Sequence, residues 1–151
     1  MANFKDRLES ELVTAMRARD ELTTATIRMV LAAVRTEEVA GKTQRELSDA
    51  EVLAVVGREA KKRREAAEAF DDAGRVELAE RERAEGRVLD GYLPAQLTAE
   101  ELAELVREAV AGSGATEPRH MGQVMKVLQP KIAGRAEGGR VAAEVKRQLA
   151  G

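Results

Sequence analysis

Proline occurs at three places in this chain, Pro94, Pro118 and Pro130, and between those breaks apolar residues return every three or four positions. That period matches the turn of an α-helix and conflicts with the alternation of a strand. A chain patterned in this way over long stretches is confined to helix packed on helix. Composition agrees. Hydrophobic residues make up 44% and charged residues 34%, while the aromatics are Phe4, Phe70 and Tyr92 alone, too few for a typical sheet protein. The fold class expected is all-α, and 151 residues are enough to bury a real core.

The periodicity divides into seven helices. Residues 3–19 place Phe4, Leu8, Leu12, Ala15 and Met16 on one face. Asp20 is positioned to cap a second helix carrying Ile27, Val30, Leu31 and Val34, with Gly41 as its stop. Ser48 and Glu51 form a capping box for a third helix, whose apolar face holds Val52, Leu53, Val56, Ala60, Ala67 and Phe70 and which Gly74 ends. A charge-rich fourth helix follows over about 75–90, with Glu77 and Arg81 expected to pair one turn apart. Tyr92-Leu93-Pro94 interrupts the pattern, because proline disfavours helix at the residue before it.

The boundary is therefore placed there, giving two small helical domains: a four-helix unit over 1–92 and a three-helix unit over 93–151. In the second, Thr98 and Glu101 make another capping box, ahead of Leu102, Leu105, Val106, Ala109 and Val110. After the Gly112-Ser113-Gly114 turn, Thr116 is expected to cap a helix with Met121, Val124, Met125, Leu128 and Ile132 on one stripe. Pro130 predicts a kink or an end near Gln129, since it lacks an N–H and crowds the preceding turn. Arg135 to Gly139 reads as a loop, and Val141, Val145 and Leu149 mark the last helix.

Several chemistries find no residues to support them. There is no cysteine, which excludes disulfides and thiolate metal sites. His120 is the sole histidine, and no glycine-framed nucleophile G-x-S-x-G accompanies it, so it reads as a surface or helix-start residue. Neither a phosphate loop nor a calcium loop is present, and no cofactor or metal is expected. Charged residues interrupt the N-terminus, and no uncharged run approaches a membrane span; the expectation is a cytoplasmic protein with no membrane partner.

Net charge is −2 overall, but it is unevenly spread. From Arg119 onward, Arg119, Lys126, Lys131, Arg135, Arg140, Lys146 and Arg147 face only Glu137 and Glu144, an excess of five positive charges. Such asymmetry marks a surface for nucleic acid or another acidic partner. Lys61-Lys62-Arg63-Arg64 is the densest basic run; it is either a salt-bridged solvent face, with Glu59 to Arg63 and Lys61 to Glu65 as pairs, or a nucleic-acid contact. The C-terminal cluster is the stronger candidate. Gly122 and Lys126 share an exposed side, and Lys131, Gly134, Arg135, Gly138 and Arg140 follow around the glycine-containing turn. These seven residues are the candidate nucleic-acid-binding set, suited to the phosphates of a folded RNA. A solvated basic face remains the other reading of the same residues.

Several stretches carry a resemblance. They are Arg28-Met29 leading into Leu31-Ala32-Ala33, Glu37-Glu38, Glu51-Val52-Leu53, Ala73-Gly74-Arg75, Tyr92-Leu93-Pro94-Ala95-Gln96-Leu97, Met121-Gly122-Gln123-Val124-Met125, and Pro130-Lys131-Ile132-Ala133-Gly134-Arg135-Ala136-Glu137-Gly138. In this order they resemble the YqeY family over essentially the whole chain. The resemblance implies a two-domain all-α protein whose C-terminal part is similar to the tail domain of the GatB subunit of glutamyl/aspartyl-tRNA amidotransferase, a module that also occurs at the N-terminus of some glutaminyl-tRNA synthetases and assists tRNA binding there. It implies tRNA, a synthetase or an amidotransferase subunit as partners. It also brings the label of carbon–nitrogen ligase with glutamine as amido-N-donor, which belongs to the full enzyme. The tail motif falls on Met121, Gly122, Val124, Met125, Gly134, Arg135, Ala136 and Gly138. Lys126 stands where the family often has a small residue, and Glu137 where it usually has Asp. The expected function is a non-catalytic tRNA-binding accessory module, with a protein-interaction adaptor as the alternative.

Overall fold

The computed structural model describes residues 3–132 and 134–151. Ala133, part of the motif quoted above, lies outside the described residues. Every regular element among the described residues is helical: α1 (Phe4–Arg17), α2 (Glu21–Glu38), α3 (Asp49–Asp72), α4 (Val76–Asp90), α5 (Ala99–Ser113), α6 (Met121–Ile132) and α7 (Gly138–Ala150), with one tight helical turn, Pro118–His120, ahead of α6. The chain forms two compact units, Met1–Leu93 and Pro94–Gly151. No described helix is long and apolar enough to cross a membrane.

The helix starts of the first unit are set by local hydrogen bonds. Asn3 accepts from the Asp6 N–H at 2.8 Å, Asp20 from the Thr23 N–H at 3.1 Å, and Ser48 from the Glu51 N–H at 3.2 Å. Each satisfies one of the free donors at a helix N-terminus. Gly74 ends α3 with φ +73°, a left-handed turn that glycine adopts without a Cβ penalty. The core joins Leu8 of α1, Ile27, Val30 and Val34 of α2, Val52, Val55, Val56 and Ala60 of α3, and Leu89 of α4. Burying each of the larger side chains contributes about 1.5–3 kcal/mol.

The buried charged residues of this unit are Glu38 and Glu59, and Arg63 is partly buried. Glu38, at the end of α2, is only 4% exposed. Its carboxylate accepts from Lys5 Nζ at 3.0 and 3.2 Å and from the Leu47 N–H at 3.4 Å, so one side chain anchors both α1 and the α2–α3 connection. The Lys5 hydrogen bond, more than any other contact, holds its pKa below the ordinary value. Arg63 lies between α3 and α4, where its guanidinium reaches Glu82 at 3.0 Å and Glu85 at 3.6 Å. This corrects the sequence expectation: Glu59 pairs with Lys62 at 3.5 Å, and Arg63 pairs across helices. Likewise Arg81 pairs with Glu85 at 3.1 Å, forward along α4, in place of Glu77.

The second unit packs α5, α6 and α7 around Leu102, Val106, Ala109, Val124, Leu128, Ile132, Val141, Val145 and Leu149. Thr98 and Glu101 close the expected capping box. Three other expectations are revised. Thr116 does not cap α6 with its side chain; the N–H groups of Thr116 and Glu117 instead donate to Nδ1 of His120 at 3.1 and 3.2 Å. Gly138 and Gly139 are not loop residues but the first turn of α7. Finally, α6 runs through Pro130 to Ile132. Proline removes one hydrogen bond and crowds the carbonyl four residues back. Here it sits in the last turn on an exposed position, while Leu128 and Ile132, both buried, hold that turn on the core.

Candidate nucleic-acid interface

The seven candidate residues fall into three groups within the second unit. Gly122 and Lys126 are one turn apart on the solvent side of α6, both exposed. A Cβ built on Gly122 would meet nothing within 4 Å, so no packing contact inside the chain requires glycine there. Lys131 is also exposed but stands about 140° around the helix from Lys126, on the opposite flank of the buried stripe. Lys126 and Lys131 each lack an ion-pair partner among the described residues.

The third group surrounds the α6–α7 turn, and its polar groups face inward on the chain. Gly134 has φ +74°, a conformation that favours glycine, and its carbonyl accepts from Gln96 Nε2 at 2.9 Å. The Arg135 carbonyl accepts from the Leu97 N–H at 2.8 Å, and Arg135 Nε donates to the Ala95 carbonyl at 3.4 Å. Arg140, in the first turn of α7, donates to the Leu97 carbonyl at 3.1 Å. Together these bonds lace the Pro94–Leu97 segment onto the turn. Gly134, Arg135 and Arg140 therefore have a structural duty within the second unit. Arg135 also contributes to lowering the pKa of Glu101, after the larger effect of the Thr98 hydrogen bonds. Gly138 is exposed and has open space at its Cβ position.

The structure adds residues outside the seven candidates. Gln96 bridges the Pro94 and Gly134 carbonyls, a role visible only once residues 38 positions apart are adjacent. Lys146 is exposed and, like Lys126, has no partner among the described residues. Arg147, by contrast, is held by Glu144 at 2.6 Å, and Arg119 pairs with Glu117. The basic run of α3 is largely neutralised: Lys61 pairs with Glu65 at 3.9 Å and Lys62 with Glu59. The solvent-face reading of that run is the one its geometry favours. No group of three or more His, Cys, Asp or Glu residues among those described is arranged to hold a metal ion.

The sequence model of one protein family, Yqey-like protein, matches residues 5–149. No curated protein matches the chain.

Proposed function

Starting from a chain that belongs to the YqeY family, we propose that its second unit is a non-catalytic accessory module that binds tRNA through backbone phosphates. The observation that carries this reading is the set of exposed lysines without carboxylate partners, Lys126, Lys131 and Lys146, in a part of the chain with excess positive charge. Unpaired ammonium groups on a rigid helix are free to displace counterions from a polyanion, which is where most of the affinity for nucleic acid originates. Phosphate contacts set position without reading base edges, as recognition of a folded RNA by shape requires. Arg135 and Arg140 orient the surface by holding the Ala95 and Leu97 carbonyls.

The test is a salt titration of total-tRNA binding with the wild type and the Lys126→Glu/Lys131→Glu variant. Both positions are exposed, so the fold is retained. The reading expects at least a tenfold loss of affinity and a salt slope reduced by roughly 0.7–0.9 for each contact removed. Equal affinity for the two proteins would sink it. A second reading, a protein-interaction adaptor for a synthetase or amidotransferase subunit, draws on α1, where Val13 and Met16 are 45% and 48% exposed. Absence of tRNA binding, together with capture of such a subunit that Met16→Glu abolishes, would favour it.

A further inference from the structure

Helix α6 is the one described α-helix without an acidic residue; each of the other six carries Asp or Glu. Its solvent side therefore lacks the carboxylates that neutralise lysines elsewhere in the chain, as they do on α3. Lys126 and Lys131 bound that side, about 140° apart around the helix and about 7.5 Å apart along its axis. The arc between them holds Pro130, Gln123 and Val127, all exposed and all uncharged. Val127 is one of the few large hydrophobic side chains left in solvent. Gln123 stands near the middle of the arc, about 60° from Lys126 and about 80° from Lys131. Its amide makes no hydrogen bond among the described residues. The face is thus an uncharged strip with a free donor and acceptor at its centre and a cation on each margin.

That pattern is complementary to the minor groove of an A-form RNA helix. The groove is wide and shallow, has a phosphate strand along each edge, and displays 2′-hydroxyls and base edges on its floor. The A-form major groove is too deep and narrow for side chains to read, and the minor groove of B-DNA is narrow. We propose that α6 lies with this face in the minor groove of double-helical RNA. Lys126 and Lys131 engage phosphates of opposite strands, and the Gln123 amide hydrogen-bonds to the floor between them. A primary amide both donates and accepts, and so does the 2′-hydroxyl that it meets there. Val127 and Pro130 pack against ribose carbons. Gly122, with open space where a Cβ would stand, keeps the approach beside Lys126 clear. The inference rests on the RNA-binding reading above and adds which groove is bound.

The experiment titrates the full chain with a blunt RNA duplex and with the same duplex bearing 2′-O-methyl sugars. The modification keeps the phosphates and the A-form but lines the minor groove with methyl groups. Wild type should prefer the unmodified duplex by about fivefold or more, the size of one ordinary hydrogen bond. Gln123→Ala changes an exposed helical position to the best helix former, so the fold is retained. It should weaken binding of the unmodified duplex by about fivefold and leave the salt slope unchanged. Lys126→Ala and Lys131→Ala should each reduce that slope. Equal affinity of wild type for the two duplexes, or a Gln123→Ala protein that binds as wild type does, overturns the inference. So does failure to bind either duplex. Total tRNA is the reference: if it still binds with salt dependence, the RNA-binding reading stands, and if it does not bind, that reading falls as well.

Discussion

Glu38 and Glu51 show how single carboxylates secure the first unit. Glu51 closes the cap of α3 and accepts a bidentate pair from Arg45 at 3.0 and 2.6 Å. The Arg45 hydrogen bond, followed by that from the Ser48 N–H, lowers its pKa from 4.5 to about 2. A depressed carboxylate stabilises the fold above its unfolded pKa, and that stabilisation is lost as pH falls through the folded value. Between pH 4.5 and 2 the wild type is therefore expected to lose stability in denaturant titrations, and Glu51→Gln to show a shallower decline. Glu38, also depressed, acts in the same direction. His120 makes a different demand, because its Nδ1 accepts two backbone N–H groups at the start of α6. His120→Ala leaves both donors without that acceptor and should destabilise the second unit by about 1 kcal/mol, read from its thermal midpoint.

At the scale of elements, two glycines separate structural from functional use. Gly74 ends α3 at φ +73°, so Gly74→Ala should cost about 1 kcal/mol in chemical denaturation even though a Cβ meets nothing within 4 Å. Gly122 sits in α6 with open space and no positive φ. Gly122→Ala should therefore stabilise the helix by up to about 1 kcal/mol, and on the proposed function it should weaken tRNA binding. A more stable protein with undiminished binding would separate Gly122 from the site. The caps at Ser48 and Thr98 were legible in the sequence because donor and acceptor lie three residues apart. Arg63 was misassigned because its partners, Glu82 and Glu85, become neighbours only when α4 folds back on α3. At Pro130, where the sequence predicts a kink or an end near Gln129, the helix continues to Ile132, and the buried Leu128 and Ile132 hold that last turn on the core. The same limit applies to the candidate site. Lys126 and Lys131 were recognisable by type, but the inward duties of Arg135 and Arg140 depend on carbonyls 40 and 43 residues away.

For the molecule as a whole, the three-helix core of the second unit should respond as one body. Leu128 is fully buried between its neighbours, and Leu128→Ala is expected to cost about 2–5 kcal/mol in that unit's unfolding. The lacing of the Pro94–Leu97 segment extends this unity beyond the helices. The Leu97 amide lies outside every described helix, yet it donates to the Arg135 carbonyl at 2.8 Å and the residue is only 4% exposed. In deuterated solvent that proton should exchange on the slow clock of the core amides of α6, since releasing it requires the turn and the segment to separate. A single backbone proton in an irregular stretch thus becomes a gauge of how often the second unit opens.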